Sequence, residues 1–233
     1  GDKDILWNAP MTQLLVSEDK IFSGRAFGKN TAFDLSSFAI QKGRRPRSFP
    51  ALYWGRAGGL GYTPFGTLYG GLILRCGIDG KLYCLNPETG TELWSSKVGE
   101  RLFGSPIAIG EDIFIANDKG DIYQLDFANG SIMKQASTSG PVLGSIASDG
   151  KILFFITEDG LLHSVNVSDL KERWNVPVAA YTDSTPAVDA GIIYLADQKG
   201  SAMAVNVSDG KVRWSTELGD EFSRCPVVGK THI

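Results

Sequence analysis

Hydrophobic and polar positions alternate in short runs along most of the chain, and polar turn signals separate the runs. Residues 105–137, SPIAIGEDIFIANDKGDIYQLDFANGSIMKQAS, show the pattern most clearly. The apolar runs are strand-sized, and the separators GED, NDKG and ANG supply Gly, Asn and Asp, which suit backbone conformations with positive φ. Such spacing is typical of short β-strands joined by tight turns. The segment therefore predicts a four-stranded antiparallel meander.

The pattern repeats with a period of 40 residues, and several landmarks keep that spacing. The landmarks are Gly80, Gly120, Gly160 and Gly200; Asn86, Asp126, Asn166 and Asn206; and Trp54, Trp94, Trp174 and Trp214, with Lys134 in the slot of the missing tryptophan. A single meander of this length cannot bury both of its faces, so such units stack against copies of themselves. Radial stacking leaves only short protected edges. An all-β fold, a β-propeller of four-stranded antiparallel blades, is expected.

Counting the units predicts about six blades in one domain spanning residues 1–233. Five complete units end at Trp54, Trp94, Lys134, Trp174 and Trp214. A sixth begins with CPVVGKTHI at residues 225–233, and DILWNAP at residues 4–10 resembles an outermost strand that awaits its blade. Joining the two ends would make a split closing blade. The alternative is that the chain is a fragment of a propeller with seven or eight blades.

Composition and charge narrow the functional classes. The chain has 42% hydrophobic and 21% charged residues with a net charge of −3, which fits a globular domain with a sizeable core. Charges of both signs are interspersed, so no overall field would draw the chain to nucleic acid or to an anionic membrane. The longest apolar run, ILFFI at residues 152–156, is strand-sized. No membrane span is predicted.

Two of the hairpins carry a resemblance to a known family. LYCLNPETGTELW at residues 82–94 and AMAVNVSDGKVRW at residues 202–214 resemble the repeat of pyrroloquinoline-quinone-type β-propellers, whose units end in Ala-x-Asp-x-x-Thr-Gly-x-x-x-Trp. The match covers roughly residues 10–233. The family includes quinone-dependent alcohol and sugar dehydrogenases, and also cofactor-free relatives such as the propeller lipoprotein of outer-membrane protein assembly. The repeat thus implies a scaffold and leaves the activity open.

The resemblance implies a structural role for the repeated tryptophans. In the family this Trp packs between neighbouring blades, and the Asn or Asp with its Gly holds the preceding hairpin. The implied docking residues are Trp54, Trp94, Trp174 and Trp214. Lys134 departs from the pattern, so we expect its blade contact to be weaker or differently built.

The hairpin at residues 35–53 is the largest departure from the repeat. The Trp slot, which Lys134 fills in one unit, follows the Asn or Asp after eight positions in the other units, whereas Trp54 follows Asp34 after twenty. The insertion contains Arg44, Arg45 and Arg47 beside Phe49. Guanidinium groups bind phosphates, carboxylates or acidic protein partners through paired hydrogen bonds. The alternative is a solvated insertion without a function, since hairpin tips tolerate added residues.

A second candidate site lies just ahead of each innermost strand, where loops surround the mouth of a propeller's central channel. One register position carries Arg101, Pro141, Tyr181 and Glu221, and the position two residues later carries Phe103, Leu143, Asp183 and Ser223. The candidate residues of this polar mouth are Tyr62, Arg101, Tyr181, Asp183, Glu221 and Arg224. Such a mouth suits a peptide, a glycan or a cofactor. The alternative is an ordinary polar rim.

No catalytic or metal-binding set is recognised. The two histidines are His163 and His232, and a surface role is expected for His163. No zinc spacing or Cys-x-x-Cys pair is present. Cys76, Cys84 and Cys225 are expected to be small buried fillers, although one bridge between Cys76 and Cys84 in adjacent strands stays open.

The family's dehydrogenases commonly hold their quinone between a Trp and a disulfide of adjacent cysteines, and a Glu, Asn and Asp set holds calcium. The sequence has no Cys-Cys pair. We therefore expect a non-catalytic scaffold that binds a protein or glycan partner, without cofactor or metal, and that does not bind nucleic acid. Family resemblance places it in the periplasm or outside the cell. The alternative is a quinone-dependent alcohol or sugar dehydrogenase, or a fragment of one, with pyrroloquinoline quinone and calcium as its cofactors.

Overall fold

The computed structural model describes the backbone of residues 14–16, 20–23, 29–34, 51–57, 62–77, 79–178, 185–197, 199–219 and 226, with side chains from residue 66 onward. The regular elements in these residues are all β-strands, twenty in number. They form five four-stranded sheets. The predicted all-β architecture of four-stranded antiparallel blades is confirmed. The chain divides into two compact units, residues 1–100 and 101–233.

The first unit contains two meanders, in which each strand pairs with the next one along the chain. Sheet 1 consists of β1 (Leu14–Val16), β2 (Lys20–Ser23), β3 (Lys29–Asp34) and β4 (Ala51–Ala57). Sheet 2 consists of β5 (Tyr62–Tyr69), β6 (Leu72–Gly77), β7 (Lys81–Leu85) and β8 (Glu92–Lys97). β3 and β4 are paired up to Asp34 and Ala51. The lengthened hairpin therefore joins two neighbouring strands, and its residues 35–50 lie outside the described residues.

Sheet 2 buries the middle of β6 and β7. Ile73 and Leu85 form a small cluster against which Leu68 and Tyr83 pack. Arg75 is 1% exposed, although the same slot of the repeat carries Ile115, Phe155 and Leu195. Gly66 makes room for this arginine, since an added Cβ would lie 2.8 Å from Arg75 Cδ. Sequence reasoning did not identify this buried cation, because a lone Arg in a strand is more often solvated.

The two described cysteines are buried thiols. Cys76 and Cys84 are both free, so the bridge that the sequence left open is not formed in this structure. Burial raises the pKa of Cys76 to about 12 and that of Cys84 to about 11, because a low-dielectric surrounding disfavours the thiolate. The prediction that these two residues are buried fillers is confirmed, and Cys225 lies outside the described residues.

The second unit contains three more meanders. Sheet 3 consists of β9 (Ile107–Ile109), β10 (Asp112–Ala116), β11 (Asp121–Asp126) and β12 (Ile132–Ser137). Sheet 4 consists of β13 (Ala147–Ser148), β14 (Ile152–Ile156), β15 (Leu161–Asn166) and β16 (Glu172–Pro177). Sheet 5 consists of β17 (Ala187–Asp189), β18 (Ile192–Ala196), β19 (Ser201–Asn206) and β20 (Val212–Glu217). The register shifts at the same place in each, between Gln124/Leu125, Ser164/Val165 and Ala204/Val205.

Sheet 4 buries both of its faces against its neighbours. Phe155 and Leu153 join a core cluster with Phe114 of sheet 3. Phe154, on the opposite face, joins another cluster with Ile193 of sheet 5. Successive residues of a strand point to opposite faces, so the run ILFFI supplies both interfaces. Each sheet therefore depends on the neighbouring sheets to bury its apolar faces.

The innermost ends of these sheets are linked by a ladder of hydrogen bonds. The Ser105 N–H donates to Ser145 Oγ at 2.8 Å. One repeat later, the Ser145 N–H donates to Thr185 Oγ1 at 3.2 Å. A Cβ on Gly104 would lie 2.3 Å from the Gly144 oxygen, so a small residue is required just before the hydroxyl. GSP at residues 104–106 recurs 40 residues later as GSI at residues 144–146, and this recurrence thus has a structural cause. The count of six blades stays a prediction, because most residues after 219 lie outside the described part.

Candidate partner-binding rim

Two kinds of loop lie at the same end of the sheets in the second unit. One is the turn between the second and third strands, at residues 117–120 and 157–160. The other is the connection that leads to the next innermost strand, at residues 101–105 and 138–145. These four segments form the rim. They share one end because an antiparallel meander reverses direction at every turn.

Each rim turn is hydrogen-bonded to a rim connection. The Asp118 N–H donates to the Arg101 oxygen at 3.3 Å, and the Arg101 N–H donates to Asp118 Oδ1 at 3.4 Å. One repeat later, the Glu158 N–H donates to the Pro141 oxygen at 2.8 Å. The register position that sequence reasoning selected for Arg101 and Pro141 is therefore the point at which rim turns are attached.

The first rim turn is held internally by an amide side chain. Asn117 Oδ1 accepts hydrogen bonds from the N–H groups of Lys119 and Asp121, each at 2.9 Å. Gly120 has a φ of 83°, and an added Cβ would lie 2.4 Å from the Gly140 oxygen. Backbone and neighbour together require glycine here. The turn is consequently a rigid platform for its exposed charges.

The rim carries exposed charges of both signs. Arg101, Lys119, Glu158 and Asp159 are exposed, and Asp118 is half-buried. The pKa of Asp159 is lowered, chiefly because the Thr157 hydroxyl donates to it and also because Ser139 does. Its carboxylate is therefore anionic at neutral pH. The rim offers complementary contacts to a partner with mixed charges.

Arg101 is the member of the predicted mouth whose side chain is described, and it is exposed at the rim. Tyr62 begins β5, where the structure describes the backbone. The other predicted residues lie outside the described residues: Tyr181, Asp183, Glu221 and Arg224 of the mouth, and Arg44, Arg45, Arg47 and Phe49 of the long hairpin. Sequence reasoning missed the rim turns with Asp118 and Glu158. The signal was available, because NDKG and TEDG recur at the 40-residue spacing.

Trp174 lies against the hairpin of the next sheet. Its Nε1–H donates to the Val207 oxygen at 3.2 Å, and its ring centroid is 6.3 Å from that of Phe154. A Cβ on Gly210 would lie 2.9 Å from Trp174 Cε3, so the glycine makes room for the indole. Trp174 therefore joins sheet 4 to sheet 5.

The other tryptophan slots differ in exposure. Trp94 is half-buried, and Trp214 is 42% exposed. The docking role of Trp214 stays a prediction. Its ring lies 6.4 Å from that of Tyr194 in the same sheet. Trp54 pairs with Ala32 through its backbone in sheet 1, and its side chain lies outside the description.

Lys134 makes the blade contact in a different way. Its Nζ donates to the Ser168 oxygen in the hairpin of sheet 4 at 2.6 Å. In the hairpin of sheet 4, Leu170 stands at the repeat position that Gly210 has in sheet 5. Leu170 has a φ of 56°. Its side chain is 6% exposed and belongs to the core shared by sheets 3 and 4. A buried leucine thus supplies apolar contact in the interface that lacks the indole.

The expectation of a surface role for His163 was wrong. The ring is 2% exposed, and it stacks on Phe155 with 5.1 Å between centroids. The face of sheet 4 that carries both residues is covered by sheet 3. A polar residue in a strand resembles a solvent-facing one until the neighbouring sheet is known.

Within the described ranges, no group of three or more His, Cys, Asp or Glu side chains is arranged to hold a metal ion. No described helix is long and apolar enough to cross a bilayer. A shallow groove of about 520 Å³ lies at the end of sheet 4 opposite the rim. It is lined by Gly150, Lys151, Ile152, Asn166, Val167, Ser168 and Arg173.

Comparison with solved structures shows the fold. BamB from Moraxella catarrhalis superposes with a TM-score of 0.71 at 14% identity, over 90% of this chain and 64% of that one. The computationally designed Ika8 protein gives 0.77 at 14%, over 91% and 64%. A europium-containing methanol dehydrogenase gives 0.71 at 12%, over 88% and 50%. The chain thus spans less than two thirds of each of these structures, and no curated protein sequence matches it.

The family itself is shown by a sequence model. The model described as outer membrane protein assembly factor BamB matches residues 7–133 and residues 78–228. These overlapping matches cover nearly the whole chain and include all five described sheets. The chain therefore belongs to the BamB family of β-propellers with pyrroloquinoline-quinone-like repeats.

Proposed function

We propose that this chain is a non-catalytic propeller scaffold that binds a protein partner through its rim. The observation that carries the proposal is the match to the outer membrane protein assembly factor family across residues 7–228. That description names a protein-assembly factor rather than an enzyme. By the same reasoning we place the chain in an exported compartment, the periplasm or the cell surface.

The chemistry of the rim supports a protein as the partner. The exposed Lys119 and Glu158 stand on turns whose backbones are hydrogen-bonded to the connections, and the exposed Arg101 stands on one of these connections. Polar groups that are already held rigidly lose little conformational entropy when a partner binds. Interspersed charges select a partner of complementary pattern and accelerate its encounter. A glycan would instead be expected to use stacked exposed aromatic side chains.

The long hairpin provides a separate candidate surface in the first unit. Arg44, Arg45 and Arg47 would engage an acidic group on the partner through bidentate contacts. Exposed charge pairs contribute about 0.2–1 kcal/mol each, so single substitutions should have small effects. The contribution of this hairpin should become visible when all three arginines are replaced together.

A quinone-dependent dehydrogenase is the second candidate, and the similarity to the europium-containing methanol dehydrogenase favours it. The residues present do not fit the quinone site of such enzymes. The sequence has no pair of adjacent cysteines, and Cys76 and Cys84 are buried thiols. A saturable quinone spectrum with dye-linked oxidation of an alcohol or sugar, after addition of quinone and calcium, would favour this candidate over the scaffold.

The experiment is affinity capture from a periplasmic extract with four forms of the protein. The rim variant carries Arg101→Ser and Glu158→Gln, and the hairpin variant carries Arg44→Ser, Arg45→Ser and Arg47→Ser. The matched control carries Glu111→Gln and Arg213→Ser, which remove one exposed charge of each sign at the end opposite the rim. The rim variant should lose the protein captured by the wild type, and the control should keep it. Equal capture by the rim variant and the wild type at low and physiological salt would contradict the proposal.

A further inference from the structure

The groove of about 520 Å³ at the end of sheet 4 opposite the rim has no part in the proposed rim contact. Its walls are the turn between β13 and β14 and the hairpin between β15 and β16. The Val167 N–H donates to the Lys151 oxygen at 2.9 Å and thereby joins the two walls. Asp149 Oδ1 accepts from the N–H groups of Lys151 and Ile152, each at 2.9 Å. Both walls are therefore in place before a ligand binds.

Two cations line this groove, and no described acidic residue belongs to its lining. Lys151 and Arg173 are both exposed. Neither of them takes part in an ion pair within the described part of the chain. The other lysine of the hairpin is engaged, since Lys171 Nζ lies 3.9 Å from Asp169 Oδ2. The groove thus presents two positive charges to a ligand.

The cation pair is specific to sheet 4 among the described sheets. The repeat keeps the residues that its fold requires, as it does for the glycine of each rim turn. The repeat positions of Lys151 and Arg173 vary instead in sheets 2, 3 and 5. They carry Gly71 and Leu93, Glu111 and Met133, and Gly191 and Arg213, respectively. Formation of a blade therefore does not require the cation pair, which points to a role in binding.

Apolar side chains complete the lining of the groove. Ile152 and Val167 are half-buried. Ile152 packs on the core shared by sheets 4 and 5, and Val167 packs on the core shared by sheets 3 and 4. Their exposed parts offer apolar contact to a ligand. The volume lies in the range of about 300–1,000 Å³ that is typical of sites for organic ligands, and it exceeds that of a single inorganic anion.

We propose that this groove binds an acidic segment of a protein partner, in which a carboxylate is followed by an apolar side chain. The Arg173 guanidinium binds the carboxylate through two parallel hydrogen bonds, and the Lys151 ammonium adds a second positive charge. The apolar side chain contacts Ile152 and Val167. A phosphate ion would use the cations alone, and the apolar lining would contribute nothing to its binding. The groove is separate from the rim, so this inference does not depend on the proposed function.

The direct test titrates short capped peptides into the full chain and follows the methyl signals of Ile152 and Val167 by NMR. The acidic probe is acetyl-Glu-Leu-Glu-Leu-amide, and acetyl-Gln-Leu-Gln-Leu-amide is its neutral counterpart. The acidic peptide should shift both sets of methyl signals in a saturable way, and its affinity should fall as salt is added. The neutral peptide should bind about tenfold more weakly, because the ion pairs are lost. Equal shifts with both peptides, or no shift with the acidic one, would overturn the proposal.

Two variants locate the binding. Lys151→Gln combined with Arg173→Gln removes both cations and should weaken binding of the acidic peptide by about tenfold. Arg213→Gln is the matched control, because Arg213 has the repeat position of Arg173 in sheet 5. That sheet carries Gly191 in place of Lys151, so it lacks the cation pair. The control should bind the peptide as the wild type does, whereas unchanged affinity of the double variant would contradict the proposal.

Two further measurements separate other occupants of the groove. Inorganic phosphate that shifts the same methyl signals and displaces the acidic peptide at equal concentration would assign the groove to free anions. Methyl shifts that grow with protein concentration alone, together with a dimer in sedimentation, would assign it to a second copy of the chain. Either result would overturn the assignment to an acidic segment of another protein, which predicts neither.

Discussion

The Nε1–H of Trp174 donates to the main-chain oxygen of Val207, 3.2 Å away, and thereby ties the outer strand of sheet 4 to the hairpin of sheet 5. This contact gives the repeated tryptophan a definite partner, which lies 33 residues further along the chain. Gly210 leaves the space that the indole ring fills. In the interface between sheets 3 and 4, Lys134 occupies the tryptophan slot and Leu170 occupies the glycine slot. The unit that lacks the indole thus also lacks the glycine that makes room for it.

Replacement of Trp174 by Ala should destabilise the protein by about 3 kcal/mol, because a half-buried ring and its hydrogen bond are both lost. Trp214→Ala is the matched control from the same repeat slot. Its ring is 42% exposed, so its removal should cost under about 1 kcal/mol. Urea denaturation followed by circular dichroism measures both. Equal losses in the two variants would show that the inter-sheet contact contributes little.

Lys134 and Leu170 should show strong energetic coupling in a double-mutant cycle. Lys134→Trp alone should destabilise, because Leu170 occupies the space of an indole, and Leu170→Gly alone loses a buried leucine. The double variant restores the Trp and Gly pair found at Trp174 and Gly210. We expect a favourable coupling of about 1–3 kcal/mol from urea unfolding. Additive effects would mean that the two positions are independent.

Gly120→Ala should be more destabilising than Gly150→Ala. Both glycines have positive φ, 83° and 91°, so each alanine variant has a backbone cost of about 1–2 kcal/mol. A Cβ at Gly120 would also lie 2.4 Å from the Gly140 oxygen, whereas nothing lies within 4 Å of one at Gly150. Thermal unfolding of the pair isolates the steric part. If their midpoints coincide, the rim turn adapts to the added methyl group.

Asp121 should stabilise the fold at neutral pH and lose this effect in acid. Its pKa is lowered, first because Ser137 donates to the carboxylate and then because Asn117 does. A carboxyl with a lowered folded-state pKa contributes stability above its unfolded pKa, of about 3.9, and loses it as the pH falls through the folded value. Asp121→Asn should therefore be less stable than wild type at pH 7, with a difference that disappears in acid.

Two serine variants serve as controls for this pH effect. Ser137→Ala removes the main donor and should produce a smaller loss with the same direction of pH dependence. Ser168→Ala changes an exposed hairpin serine and should leave the profile unchanged. A pH-independent difference between wild type and Asp121→Asn would contradict the assignment of the stabilisation to the ionised carboxylate.

The repeat made the strands predictable because strand and turn preferences are local. Alternation of apolar residues and a glycine with positive φ, as at Gly120, act over a few neighbouring positions, and a 40-residue period repeats them. Small residues also recur at the start of each unit, as in GSP at residues 104–106 and GSI at residues 144–146. Their reason, the hydrogen bond from the Ser105 N–H to Ser145, spans one whole repeat and required the structure.

The sequence by itself determined the all-β architecture and the repeat unit, because these depend on local periodicity. Tertiary structure alone decided which polar residues of the strands are buried. His163 and Arg75 are residue types that are more often solvated than buried, yet both are almost fully covered. The exposure of a strand residue depends on the sheet packed against its face, and that sheet is distant in sequence. The hydrogen-bonding partners of the His163 ring, Thr157 Oγ1 and Glu172 Oε1, likewise lie in two other segments, which the folding of sheet 4 brings to the ring.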